Sequence, residues 1–233
     1  MKDKIKLPDQ AEYCAKFSRT FKNLSPAELD LLFNHNLAEV FKRGEIIYSE
    51  GARMQGCYFI YSGVVKIFQT GEGGKEQIIK LEKEGDFFGF RSVILKEKAC
   101  TSVEVLDNAL LYFIPENILF QLIKNNPDFA YELMQIACKE LGESNRHIKD
   151  IAQKTVKERL AEILLMMARD FGIEPDGTLK LTISREDLGN FIGTATETVI
   201  RLMTEFKAEG LIESQRLKIK LLDIPKLQKR AGK

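Results

Sequence analysis

Hydrophobic positions repeat with a short period in the first half of the chain and a longer one in the second. From about Leu37 to Pro115 they fall in brief runs rich in aromatic and β-branched residues, which suit a pleated, half-buried surface. Strands on either side of Gly44 run through Val40–Phe41 and Ile46–Tyr48, and a second turn follows at Gly51. Tyr58–Phe68 continues the pattern, Gly71–Gly74 turns the chain, Gln77–Leu81 returns it, and Val103–Leu106 and Leu110–Ile114 read as two later strands. Short strands at this spacing predict an antiparallel sandwich or jelly roll.

From about Asp128 the period lengthens. Ala130, Met134, Ala137, Leu141, Ser144, Ile148 and Ile151 are spaced alternately by four and three, the a/d seam of a helix that pairs with a second copy. Pro127 suits its first position. The same stripe would serve a helix packed on its own β domain. Ser144 and the alanines make the seam permissive, which suits a dimer whose helices can shift. Lys154 is expected to start another helix, with Val156, Leu160, Ile163, Leu164 and Met167 on its apolar face and its end near Gly172.

Beyond Leu181 two short amphipathic helices are predicted, hinged at a glycine. Leu188, Phe191 and Ile192 share one face of the first, and Val199, Leu202, Met203 and Phe206 one face of the second. Ser184 with Asp187, and Thr194 with Glu197, have capping-box spacing, while Gly193 supplies the permissive backbone between them. Such a helix-turn-helix can lay its second helix in the DNA major groove, although an ordinary helical hairpin has the same spacing. After Gly210, two short apolar segments bracket a polar turn, and Leu217, Ile219 and Leu221 alternate with lysines in the second. That is the pattern of a wing.

Composition narrows the picture modestly. The chain has 233 residues, 44% of them hydrophobic, enough for two domains or one large one, with real cores. Net charge is only +1, but residues 154–233 carry 15 Lys and Arg against 12 Asp and Glu, and the rest 20 against 22. The basic excess therefore sits with the helix-turn-helix. No apolar run approaches a membrane span and the charged start lacks a signal-peptide core, so a soluble, cytoplasmic protein without a membrane partner is expected. Cys14, Cys57, Cys100 and Cys138 are scattered, with no paired spacing for zinc or an iron–sulfur cluster, and His35 and His147 have no nearby ligands in sequence. Structural thiols are expected and no metal site, with a redox role for one cysteine left open.

The segments Lys42–Ile47 with Glu50–Gly51, then Phe59–Lys66, then Gly85–Gly89, resemble the cyclic-nucleotide-binding-type β roll of the Crp/Fnr family of bacterial transcription regulators. The helix-turn-helix lies where that family has it, so the resemblance covers nearly the whole chain. It implies an α+β fold: an antiparallel β roll in an effector domain (1–126), a long dimerisation helix and linker (127–153), and a winged helix-turn-helix DNA-binding domain (154–233). It also implies a homodimer under allosteric control, partnered by double-stranded DNA with inverted half-sites and by RNA polymerase.

In cyclic-AMP-binding members a glutamate follows the glycine of the Phe-Gly motif and holds the ribose, and an Arg-Ser pair some ten residues on holds the phosphate. Here Phe90 follows Gly89, and Cys100 and Thr101 stand where the Arg-Ser pair should be. A buried phosphate needs a charge-assisted partner, and a thiol is a weak donor. Arg91, beside Ser92, either reorganises the site for another anion or sits on the surface paired with a carboxylate. No cofactor is identified, the effector is unknown, and cyclic AMP is not expected to be it.

By the same resemblance, base readout falls to Thr196, Glu197 and Arg201, with Ile200 beside them and Thr194 and Ser184 at the helix starts. Glu197 suits cytosine N4 and Arg201 guanine O6 and N7. The contrasting class is an enzyme or small-molecule sensor using Glu50, Asp86 and Arg91. No nucleophile–base pair, metal set or phosphate loop of recognised spacing supports it, and the chain is read as a non-enzyme.

Overall fold

A computed structural model describes residues 7–232. Two helices precede the strands and were not anticipated. α1 (Gln10–Thr20) and α2 (Pro26–His35) each open with a full capping box, Asp9 with Glu12 and Ser25 with Glu28, and Pro26 occupies the first turn of α2. Their buried residues, Tyr13, Phe17 and Leu32, enter the roll's core.

The roll consists of β1 (Leu37–Phe41), β2 (Ile46–Tyr48), β3 (Gly56–Thr70), β4 (Glu76–Lys83), β5 (Phe87–Phe88), the short helix α3 (Phe90–Leu95) and β6 (Ser102–Pro115). One sheet runs β1-β6-β3-β4, with β2 paired to β6 and β5 to β3. The two strands expected at 103–106 and 110–114 are one, β6, because all of it pairs antiparallel with β3 from Gly56↔Pro115 to Phe68↔Ser102. Asp107 and Asn108, exposed between the two predicted strands, lie at register shifts, where a bulge bends a strand without ending it. Gly63 sits in this stretch at φ +97, and a Cβ there would lie 2.5 Å from the Asn108 carbonyl. Alternate residues of β3 serve two cores. Cys57 and Phe59 join an aromatic cluster with Tyr13, Phe17, Phe21, Phe87 and Tyr112, while Ile60 and Val65 pack with Phe88, Val103, Val105 and Leu111.

α4 (Glu116–Asn125) leads into α5 (Pro127–Gln153). The first turns of α5 bury Phe129 and Leu133 in the aromatic cluster. The predicted seam lies elsewhere on the helix: Ala130 is half-buried, but Met134, Ala137, Leu141, Ser144, Ile148 and Ile151 are all exposed. Lys80 of β4 bonds both Glu82 (2.7 Å) and Glu140 of α5 (3.1 Å). Burial, with Asp86 beside it, pushes the Glu82 carboxyl well above its usual range.

α6 (Val156–Phe171) starts two residues later than expected, because Thr155 caps it reciprocally with Glu158 and leaves Lys154 in the linker. Leu160, Ile163, Leu164 and Met167 are buried as predicted, with Val156 half-buried. The chain continues through α7 (Arg185–Ile192), α8 (Thr196–Ala208), the hairpin β7 (Ile212–Gln215) and β8 (Lys218–Leu221), and α9 (Ile224–Arg230). Contacts divide the chain into two compact units: the described residues to Thr70 with Lys80–Gly142, and Gly71–Ile79 with the described residues from Glu143 onward. Among the described residues no helix is long and apolar enough to cross a membrane.

Candidate nucleic-acid interface

α7 and α8 form a helix-turn-helix around Gly193, whose φ of +70 closes α7. Ser184 caps α7: its Oγ accepts from the Asp187 amide at 2.9 Å and donates to the Asp187 carboxylate at 2.6 Å. The second expected capping box is absent. The Thr194 amide returns to the Gly189 carbonyl, so the turn uses up Thr194 and α8 begins at Thr196, behind Ala195, which has no side-chain donor or acceptor. Glu197 is therefore exposed, with no side-chain cap at that end of the helix.

Val199, Leu202, Met203 and Phe206 of α8 are buried, as are Leu188 and Ile192 of α7. Phe191, placed on the same face by periodicity, is only half-buried. Burying each large apolar side chain contributes roughly 1.5–3 kcal/mol, which fixes the rotation of α8 and sends its other face outward. On that face Glu197, Ile200 and Arg201 are exposed, and Thr196 is half-buried. Ile200 is 52% exposed, a large apolar group half open to solvent. Arg201 lies against Glu205 at 2.5 Å, an exposed i,i+4 pair worth about 0.3–0.5 kcal/mol.

Glu205 also meets Lys157 of α6 at 3.1 Å, and Lys157 bonds Glu209 at 2.8 Å, which Arg230 of α9 reaches at 2.8 Å. The Glu209 bond is the largest cause holding the Lys157 ammonium above its ordinary range, and Lys157 in turn holds Glu209 below its own. These ties brace α8 from behind. The β7–β8 hairpin is the expected wing: Ile212, Ile219 and Leu221 are buried, Arg216 sits at its tip at φ +52, and Lys218 is exposed. Lys207 of α8 donates to the Ser214 carbonyl at 2.9 Å. With Ser214, Gln215, Lys218 and Lys220 it lines an open cleft of about 620 Å³.

Arg185 went unnoticed in the sequence. It lies half-buried in the first turn of α7, where a cation opposes the helix dipole, and its Nη1 is buried with no hydrogen-bond partner among the described residues. A basic residue directly behind an N-cap serine was the signal available.

The residues expected to form an effector pocket do not assemble as an anion site. Phe90 is 4% exposed and stacked on Phe87 at 5.6 Å, filling part of the aromatic core. Of the two alternatives for Arg91, the surface pairing is the one seen: it faces Glu97 at 3.7 Å, both side chains 55% exposed. Ser92 is buried with its Oγ 4.0 Å from the half-buried Cys100 sulfur. Thr101 hydrogen-bonds Tyr48, whose hydroxyl burial pushes upward. Gly89, at φ +83, has the Met54 side chain within 3.2 Å of where a Cβ would stand. A cleft of about 250 Å³ in this unit is lined by other residues, including Leu37, Glu39, Arg53 and Phe113. It is smaller than the ~300 Å³ at which ligand pockets begin. All four cysteines are free thiols, and burial pushes those of Cys57 and Cys14 upward, away from reactivity. Among the described residues no group of three or more His, Cys, Asp or Glu could hold a metal ion.

Comparison with known proteins matches residues 38–126 to the cyclic nucleotide-binding domain and residues 158–230 to the Crp-like helix-turn-helix domain. The electron transport regulator A of Shewanella oneidensis is 30% identical over 193 residues, covering 82% of this chain and 77% of that protein. The cyclic AMP receptor protein of Thermus thermophilus is 29% identical over 84% of this chain and 89% of its own. Among solved structures, a transcriptional regulator of the CRP/FNR family from Thermus thermophilus superposes with a TM-score of 0.73 at 26% identity, covering 84% of this chain and 99% of that one.

Proposed function

The chain belongs to the Crp/Fnr family of DNA-binding transcription regulators, and on that premise we propose that it acts as a homodimer reading an inverted-repeat operator under the control of an effector other than cyclic AMP. The observation that carries this is the outward face of α8, where Thr196, Glu197, Ile200 and Arg201 stand exposed or half-exposed over a fully packed inner face. Glu197 accepts from cytosine N4 and Arg201 donates to guanine O6 and N7. Thr196 and Ile200 offer methyl groups to thymine. Thr194 and Ser184, at the starts of the two helices, lie beside the backbone, and Arg185, Arg216 and Lys218 supply phosphate contacts that position without specifying.

The exposed seam of α5 supports the dimer. Met134, Leu141 and Ile148 are 56–65% exposed on one stripe of a 27-residue helix, an arrangement stable in water when a second copy covers it. The organisation is then an effector domain over 1–126, a dimerisation helix over 127–153 and a DNA-binding domain over 154–233. Effector binding biases the packing of the paired helices, which sets the separation of the two recognition helices, so effector and DNA affinities are reciprocally linked. RNA polymerase is the further protein partner that family membership implies.

A cyclic nucleotide does not fit the residues present. Its phosphate would meet the Cys100 thiol rather than a guanidinium, and its ribose the buried ring of Phe90. Selection of bound sequences from randomised DNA tests the proposal directly. Paired half-sites in inverted orientation are expected, and recovery of unpaired or sequence-independent DNA would refute it.

A further inference from the structure

Helix ends leave backbone carbonyls without intrahelical partners, and two such carbonyls in the second unit, with one from the linker between α5 and α6, converge on one side chain. Arg159, in the first turns of α6, donates from Nε to the Ile192 carbonyl at 2.8 Å, and from Nη1 to the Ile151 and Lys154 carbonyls at 3.1 and 2.7 Å. Ile151 closes the seam of α5, Lys154 lies in the linker, and Ile192 is the last residue of α7 before the helix-turn-helix turn. The next carbonyl back, that of Phe191, accepts from Gln77 Nε2 at 3.1 Å, and the Phe191 ring meets His147 of α5 edge-on at 5.7 Å. Both α5 and α7 direct the negative ends of their dipoles at the Arg159 guanidinium, whose planar fork of donors meets several acceptors at once.

Resting on the DNA-reading role proposed above, we infer that Arg159, assisted by Gln77, is a positioning residue for operator recognition: it locks the first helix of the reading motif to the end of the seam helix. Its acceptors belong to three segments, each with hydrogen bonds of its own. The Arg159 bonds therefore record how these segments are placed against one another rather than whether any of them is formed. A shift of either helix end by about 1 Å takes a bond past the 3.2 Å at which it weakens. The separation of the two reading helices in a dimer follows from that placement.

The test uses the full-length protein and the operator recovered by selection, together with versions in which one base pair is inserted or removed between the half-sites. Arg159→Met is expected to lose roughly tenfold in affinity for the native spacing, to discriminate less between spacings, and to leave non-specific DNA binding unchanged. Arg159→Lys, which keeps the charge without the fork, falls between the two, and Gln77→Ala shifts in the same direction by less. Without DNA, trypsin should cleave after Lys154 faster in both Arg159 variants. Unchanged spacing discrimination and unchanged cleavage in both would overturn the inference. So would an equal loss on every DNA accompanied by a lower melting temperature, which would mark Arg159 as merely stabilising. If the wild-type protein selects no paired half-sites, the DNA-reading role fails and the cleavage rates alone decide the lock.

Discussion

At the scale of single residues, the reading face makes the sharpest claim. Glu197→Ala and Arg201→Ala should each weaken specific operator binding by roughly 1–3 kcal/mol and leave non-specific binding less affected. Fluorescence anisotropy on the selected operator and on a scrambled duplex would show it, and wild-type preference in either variant would remove that residue from the readout. That these two positions lie on the outer face of α8 was legible from the helical period. Arg159 was not, since its three acceptors lie 5 to 33 residues away with no local pattern to announce them. The sequence also offered a cap at Thr194 that the turn geometry removed. Cyclic AMP should produce no thermal shift at micromolar concentrations, because Phe90 and Cys100 replace its partners; a shift coupled to tighter operator binding would contradict that. His147 adds a pH dependence. Burial holds its pKa below the ordinary 6.5, with Arg159 acting the same way and Asp150 against it. The unfolded chain therefore binds more protons below that value, so the stability is fully present above about pH 6.5 and is lost as pH falls through the folded pKa. The melting temperature of His147→Gln should fall less than that of the wild type between pH 7.5 and 5.5, and parallel curves would exclude the effect.

At the scale of elements, the two stretches of α5 differ in burial. Phe129 and Leu133 secure its start in the roll's core, while the 4-3 stripe stays outside it. Periodicity found the stripe because an a/d repeat survives any backbone detail, but the same repeat serves a helix packed on its own domain and one paired with a second copy. Leu141→Asp or Ile148→Asp should favour monomers, the buried carboxylate having no counter-charge in a seam of aliphatic and small residues. Sedimentation velocity measures this, and dimers of unchanged affinity in both variants would mean that another surface pairs. The strands show the opposite limit. Glycines marked the turns at Gly44 and Gly51 correctly, yet the polar pair Asp107–Asn108 imitated a turn inside β6, where the ladder with β3 carries the strand through. α1 and α2 carried clear capping signals and lay upstream of the motifs that drew attention.

At the scale of the molecule, the order of parts was the most legible feature: a glycine-punctuated β segment, a 4-3 helix, then a hinged helix pair and a wing. The two family matches, over residues 38–126 and 158–230, follow that order. Paired copies of such a chain should protect two half-sites whose centres lie about one turn apart, ~34–36 Å. Hydroxyl-radical footprinting would give the spacing, and a single protected half-site would contradict the paired reading. No ligand for the roll was legible in the sequence, for a physical reason. The side chains that depart from the cyclic-nucleotide pattern are either folded into the core, as Phe90 is, or turned to solvent, as Arg91 is.

The long β3–β6 ladder also governs how the molecule is made. Partners across it lie 34 to 59 residues apart in the chain, from Phe68↔Ser102 to Gly56↔Pro115. At synthesis rates of about 5–20 residues per second, β3 leaves the ribosome some ~2–12 s before the strand that completes it. For that interval a run containing Cys57, Phe59, Ile60, Val64 and Val65 has an open edge and lacks the β6 residues that complete its packing, whereas α7 and α8 close on each other from neighbouring stretches of chain. The yield of active regulator in a cell is expected to fall as the lifetime of that unfinished sheet grows. It should rise when translation is uninterrupted between residues 70 and 115 and fall when slow codons are placed there.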